Sequence, residues 1–303
     1  MTKNLLNAFV LILASTFLSI LVYISVPAAR KAFPLENFNR DVEIVLGGDV
    51  MLGRTVMTKS LISKDPSYPF TKIASELFSA DLAVVNLENP IIKNCPETSK
   101  SLIFCAVPEM VKGLTRAGID VVNLANNHTL NYGPKGLEET KEHLSEENIE
   151  YVGVGNLVTK NINGTEFGFL GFDFLTNPPK QKEFDLVAES AKKVRVLVVS
   201  VHRGAEYKEN PTEEELSWMR KLVDNGASIV FGHGPHWVQG SEAYKEGIIY
   251  YSLGNLVFDQ MWSQKTREGL LVRLTFRDGK LLREENIKTY MEEWAQPEVV
   301  VGE

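Results

Sequence analysis

The chain is short of cysteine, of histidine and of positive charge. Two cysteines in 303 residues exclude a disulfide-dense scaffold. No second Cys or His pair stands at finger-like spacing from Cys95 and Cys105, which excludes a zinc finger. Lys and Arg number 32 against 39 Asp and Glu, a net charge of −7. A protein that meets a phosphate backbone needs clustered cations, so a nucleic-acid partner is excluded. No internal repeat or low-complexity tract is present. What remains is ordinary for a globular protein, 44% hydrophobic and 23% charged.

One stretch lacks charge altogether, residues 4 to 29. About twenty apolar residues cross a bilayer core of roughly 30 Å as a helix. The run is longer than the h-region of a signal peptide, about 7–15 residues. It therefore predicts an uncleaved transmembrane anchor over residues 1–26, with Val26-Pro27-Ala28 as the alternative cleavage site. Lys3 precedes the span and Arg30 and Lys31 follow it, so flanking charge does not fix orientation. Cys95 and Cys105 enclose one short segment. They read either as a disulfide formed in an oxidising compartment or as two neighbouring free thiols. A bridge would stabilise by on the order of 2–4 kcal/mol and stiffen a loop beside Glu88. It would also place the body of the protein outside the cytoplasm.

A linker is expected over 27–40, a folded body over 41–294 and a loose tail over 295–303. Apolar, β-branched runs predict strands beginning near Val42, Leu82, Ile119, Thr165, Val194, Ile229 and Ile248. Helices are expected over 71–79, 108–117, 134–147, 184–193 and 212–224. The fourth residue of the last, Glu215, forms a capping-box pattern with Thr212. A closing hairpin is expected around Asp278-Gly279. Strands alternating with helices imply a layered α/β domain.

The strand runs end alike. They stop at Gly47-Gly48-Asp49, at Asn86-Leu87-Glu88, at Asn126-Asn127-His128, at His202-Arg203-Gly204-Ala205-Glu206, at His233-Gly234-Pro235-His236 and at Gly254-Asn255. Four of the five histidines lie at such ends; His143, among charged residues on a helix, is expected on the surface. Ligands of open α/β sheets gather beyond the carboxyl ends of strands. Asp49 and Glu88 are hard oxygen donors, Asn127 offers an amide oxygen, and His202, His233 and His236 offer imidazole nitrogen. A mixed N/O set without thiolate suits Mn, Fe or Zn, and six donors can serve one or two divalent ions. His128 is assigned proton transfer to a leaving oxygen, and Arg54 a clamp on phosphate or an ordinary ion pair. Glu206 and Tyr207 could orient His202, and Asn255 could position substrate.

The motifs GGDVMLGR (47–54), NLENP (86–90), NLANNHTLNYG (123–133), VHRGAEY (201–207), GHGPH (232–236) and YSLGNLVFDQ (251–260) resemble the capsule-synthesis CapA family in order and wording. That family takes part in making or exporting poly-γ-glutamate and related capsules. It looks like a branch of the calcineurin-like metallophosphoesterases. The resemblance covers roughly residues 42 to 275. It implies a metallophosphatase-like sandwich of mixed sheets flanked by helices, an N-terminal membrane anchor and an extracytoplasmic body. It implies an anionic envelope polymer or phosphoester as substrate, and other capsule-synthesis membrane proteins as partners. Residue by residue it implies Asp49 and Glu88 as metal carboxylates, Asn127 as a ligand with His128 as the acid, and His202, His233 and His236 as further ligands. Four positions depart from the pattern. Met51 stands where the superfamily has a ligating histidine, and the His233–His236 spacing is one residue longer. Asn131 replaces an aspartate and Arg203 a tryptophan, changes expected to bear on substrate contacts. Two functions remain open from sequence: a metal-dependent hydrolase, or a non-catalytic metal- or polymer-binding subunit of the capsule machinery.

Overall fold

The computed structural model describes residues 40–300. The expected anchor over 1–26 and nearly all of the linker lie outside the described residues. Among the described residues, no helix is long and apolar enough to cross a membrane.

The chain builds one sheet, then a second, and returns to the first. It begins with β1 (Val42–Val50), β2 (Leu82–Leu87), β3 (Ile119–Asn123) and β4 (Glu150–Val152), which pair in parallel in that order. The second sheet takes β5 (Val158–Ile162), β6 (Thr165–Asp173), β7 (Val196–His202), β8 (Ile229–His233), β9 (Ser241–Tyr244) and β10 (Gly247–Tyr250), in the order β5-β6-β7-β8-β10-β9. The return lays β11 (Asn255–Val257) parallel to the end of β1. It then adds β12 (Glu268–Arg277), β13 (Lys280–Glu293) and β14 (Gln296–Val299) antiparallel along the outer edge.

The alternation of side chains along the strands decides the layering. Val42, Ile44 and Leu46 on β1 face Phe167, Phe169, Val198 and Phe231 of the second sheet in one shared core. Val45, between them, faces the opposite way into a core with α1 (Arg54–Ser63), α2 (Ala74–Phe78) and α3 (Val111–Ala117). On β7, Leu197, Val199 and Val201 face a third core with Phe184, Met219 and Leu222. The product is helices, sheet, sheet, helices. Each fully buried Val, Leu or Ile contributes about 1.5–3 kcal/mol relative to an exposed one.

The remaining long helices are α4 (Gly133–Glu146), α5 (Gln181–Ala191) and α6 (Glu213–Asp224). Thr212 caps α6 as its sequence predicts: its side chain accepts from Glu215 N, and the Glu215 carboxylate accepts from Thr212 N. α3 stops at Gly118, whose φ of 87° lies in the left-handed region. The α/β class is as expected, and the two sheets and flanking helices are consistent with the layered sandwich implied above.

Three expectations are corrected. Within the tail expected over 295–303, Gln296–Val299 is instead a strand paired with β13. The sequence after the Asp49 turn carries an unexpected helix, α1, whose weak apolar periodicity hides it. His143 is buried rather than solvated, with Nδ1 3.0 Å from Glu146 Oε2, because α4 turns that face inwards.

Candidate metal centre

The parallel strands of both sheets end at one place, and the polar residues at their ends meet there. Two glycines permit the approach. A Cβ on Gly48 would lie 2.0 Å from Gly254 O, so only glycine lets β1 close on the segment before β11. Asp49 N can then donate to Gly254 O at 2.9 Å. A Cβ on Gly232 would likewise meet Tyr251 O at 2.0 Å.

Asp49 is the hub. It is fully buried, with Oδ1 3.1 Å from His233 Nδ1 and Oδ2 3.2 Å from His236 Nδ1. The His236 contact is a hydrogen bond, whereas the His233 contact is close but misdirected, leaving both buried ring nitrogens of His233 without a hydrogen bond. Burial pushes the Asp49 carboxyl up. The two histidines outweigh it and hold the group well below the usual carboxylate range.

Glu88 sits across the site, with Oε1 3.7 Å from His236 Nε2 and 3.9 Å from His128 Nε2. Burial and the Asp49 charge push its carboxyl well above the usual range. His236 responds in the other direction. Burial lowers it, but the Glu88 charge and the Asp49 hydrogen bond raise it to about 9. His202 is neutral, lowered by burial to about 3, and its Nδ1 lies 3.4 Å from Asn86 Nδ2.

The orientation of His236 follows from its neighbour. Asn255 Nδ2 donates to Gln260 Oε1 at 3.1 Å and Thr266 O at 2.9 Å, which turns its Oδ1 towards His236 Nδ1, 3.0 Å away. The Nδ1 proton is thereby fixed and Nε2 is left facing Glu88. Asn255 thus positions a histidine rather than substrate, a correction that its full burial explains.

His128 is fixed in the same manner. Asn131 Oδ1 accepts from Phe104 N at 2.6 Å and lies 3.0 Å from His128 Nδ1, which places the proton on Nδ1. Nε2 faces Glu88 and the site. Burial lowers the basicity of the ring. Asn131 therefore bears on the histidine, a role its sequence context did not suggest.

Other expected residues stand elsewhere. Asn127 is exposed. The turn after β3 instead directs Asn126 inwards, where its Nδ2 donates to Asn86 Oδ1 at 3.2 Å and Leu87 O at 2.9 Å. Arg54 is committed to Asp259 by hydrogen bonds from Nε and Nη2, so it is an ion pair and not a free phosphate clamp. Glu206 Oε1 lies 4.0 Å from His236 Nε2 at the mouth of the site, and Tyr207 bonds Gln260 at 3.2 Å; neither orients His202. Arg203 is fully buried among Glu215, Gln239 and the carbonyl of Tyr251, out of reach of substrate. Met51 is buried in the core and its sulfur accepts from Gly53 N at 3.1 Å. Cys95 and Cys105 form a disulfide.

Sequence reasoning did not select Asn86 and Asn123. Asn86 Nδ2 donates to Asp49 Oδ1 at 2.9 Å and Glu88 Oε2 at 3.3 Å, while its Oδ1 accepts from Asn123 Nδ2 at 3.1 Å. The signal was present: both asparagines close a buried strand, where an amide must find partners. Backbone geometry adds another mark of the site. Arg54, Tyr207 and His236 all have positive φ, at 47°, 62° and 59°.

These residues fit a divalent cation. Asp49, Glu88 and His236 each offer a ligand atom, and the three atoms lie within 4.8 Å of one another. Two buried carboxylates stand side by side, and His233 carries two buried nitrogens that lack hydrogen-bond partners. A cation would offset the first and could ligate the second.

The model of the bacterial capsule synthesis protein family PGA_cap matches residues 43–260. The capsule biosynthesis protein CapA of Bacillus anthracis is 34% identical over 271 residues, covering 80% of this chain and 65% of the relative. The PGA biosynthesis protein CapA of Bacillus subtilis is 31% identical over 250 residues, covering 75% and 65%. The chain thus spans 65% of the length of either relative, just under two thirds. Among solved structures, a hypothetical protein from Thermus thermophilus superposes with a TM-score of 0.55 at 13% identity, over 82% of this chain and 98% of that one. At that identity the likeness is one of fold.

Proposed function

The chain belongs to the bacterial capsule synthesis protein family PGA_cap, and from that premise we propose that it is a metal-dependent hydrolase acting in the synthesis or export of a poly-γ-glutamate-type capsule or a related envelope polymer. The observation that carries this reading is the buried Asp49–Glu88–His236 group with His233 and His202 beside it. In this reading Asp49, Glu88, His236 Nε2 and the unpaired His233 hold one or two Mn, Fe or Zn ions. A bound ion of this kind lowers the pKa of water towards neutrality and polarises a phosphoryl or carbonyl oxygen.

The chain's own groups supply the rest. Asn255 and Asp49 hold the Nδ1 proton of His236 and so aim Nε2. Asn131 holds the Nδ1 proton of His128, which leaves Nε2 as the atom where a proton is exchanged with the reacting oxygen. Asn86 braces Asp49 and Glu88. The substrate is a phosphoester or an amide-linked anionic polymer.

A second reading is favoured by Met51, whose burial in the core leaves one ligand fewer than the superfamily pattern implies. In it the protein binds metal or polymer without turnover, as an assembly or export subunit beside other capsule-synthesis membrane proteins. In both readings residues 1–26 anchor the protein in the cell membrane and the body is extracytoplasmic. The disulfide supports that placement, since such bonds persist in oxidising compartments.

Turnover of a generic phosphoester and of poly-γ-glutamate by the metal-loaded protein separates the readings. Hydrolysis lost in His233→Ala supports the enzyme. Bound metal without hydrolysis of either substrate supports the subunit.

A further inference from the structure

Phe104 stacks directly on the imidazole to which proton exchange is assigned. Its ring lies nearly parallel to that of His128, centroids 4.0 Å apart at an interplanar angle of 22°. Its backbone N–H donates to Asn131 Oδ1, the same oxygen that faces His128 Nδ1. One residue therefore holds the histidine twice, through the plane of the ring and through the group that fixes the Nδ1 proton.

Phe104 is itself held from several sides. The Arg54 guanidinium lies 4.6 Å from its ring centroid, and Phe258 meets it edge-on at 6.0 Å. Arg54 is in turn anchored by Asp259, and its Nη1 donates to Ser101 O at 3.3 Å. The next residue, Cys105, is bonded to Cys95. The segment between them is otherwise mostly exposed, Leu102 at 77% and Ile103 at 55%. An exposed segment of this kind is a poor mount for a buried ring unless its ends are tied. The disulfide and Arg54 tie them.

We propose that Phe104 is a positioning residue for His128 and that the loop closed by Cys95 and Cys105 is its mount. The proposal rests on the reading of His128 as the proton-exchanging group. Phe104 is buried and acts by restricting the imidazole so that Nε2 stays aimed past Glu88 into the site. Misplacing a reacting group by about 1 Å can cost on the order of 100-fold in rate, so partial loosening is expected to cost about tenfold.

The test compares Phe104→Leu, Phe104→Tyr and the double variant Cys95→Ser/Cys105→Ser in the full-length protein. Each is made with His128 and in a His128→Ala background, with kcat and KM for a generic phosphoester measured in metal. Phe104→Leu is expected to lower kcat about tenfold at unchanged KM. Phe104→Tyr, which keeps the stacked ring, restores kcat to within about twofold. The cysteine pair lowers kcat in the same direction by less. In the His128→Ala background each substitution costs nothing further. Equal losses in both backgrounds, or no loss in either, overturn the proposal.

A second readout does not depend on turnover. The His128 ring protons, stacked against Phe104, are shifted by its ring current, and Phe104→Leu removes that shift in the NMR spectrum. An unchanged resonance overturns the proposal. A wild-type protein that hydrolyses no ester defeats the hydrolase reading and the proposal with it, and the resonance then tests only the stacking of Phe104 on His128. If Phe104→Leu does not fold, the cysteine pair carries the kinetic test, with equal losses in both His128 backgrounds or no loss in either again overturning the proposal.

Discussion

His236 Nδ1 lies 3.2 Å from Asp49 Oδ2, although 187 residues separate them along the chain. The contact crosses from the end of one sheet to the loop beyond the other. With His233 it keeps the Asp49 carboxylate ionised, and with Asn255 it holds the Nδ1 proton of His236, so that Nε2 is turned to Glu88.

A pH dependence follows for the metal-free protein. The folded-state pKa of His236 is raised to about 9, above an unfolded value near 6.5. The stability it contributes is therefore fully present below pH of about 6.5 and is lost as pH rises through about 9. Thermal or urea unfolding of wild type and His236→Gln in chelator, from pH 6 to pH 10, measures it. The wild-type advantage is expected to be on the order of 2–3 kcal/mol at the low end and to vanish at the high end. An advantage that grows with pH contradicts the assignment.

Arg203 is predicted to be structural. It is fully buried, donating to Glu215 at 2.8 Å, Gln239 at 2.9 Å and Tyr251 O at 2.6 Å. Arg203→Met leaves those acceptors unpaired and is expected to cost about 3–5 kcal/mol in urea unfolding. Glu215→Gln keeps an acceptor and is expected to cost well under half of that. Comparable small costs for both contradict the account.

Gly48→Ala tests how the strands close on one another. Its Cβ would fall 2.0 Å from Gly254 O, a backbone atom with no flexible end to yield. The expected cost is on the order of 3 kcal/mol or more, seen as a lowered unfolding midpoint or insoluble protein. Gly133→Ala is the control. It has open space around its Cβ but a φ of 64°, so it reports backbone strain without the clash. A Gly48→Ala cost no larger than the control's contradicts the close-approach argument.

Much of this was legible in the sequence because strand ends are a local signal. A β-branched run that stops at Asp49, Glu88, His202 or His233 announces both the strand and its polar terminus. The capping box at Thr212 was legible for the same reason. What was not legible is direction. Asn126 and Asn127 are adjacent and chemically identical, and only the turn after β3 decides that the first points inwards. Arg54 has the same appearance in sequence whether it is free or held by Asp259, a partner 205 residues away. The tail over β14 failed as an expectation because an edge strand rich in polar residues looks like coil until its partner, β13, is in place. His143 failed because charged neighbours in sequence do not report burial: the ring packs inwards with Thr140 and Leu144 while Glu146, which it contacts, stays exposed.

The central claim is that strand ends remote in sequence form one metal site, and metal content tests it most directly. Wild type, Asp49→Asn, Glu88→Gln, His233→Ala and His236→Gln are purified full-length, reloaded with Mn, Fe or Zn, dialysed and analysed by elemental mass spectrometry. Wild type is expected to retain about one to two ions per chain. Each variant is expected to lose at least about tenfold in metal affinity while still folding. A wild-type protein that retains no divalent metal, or variants that bind it as tightly as wild type, would contradict the account.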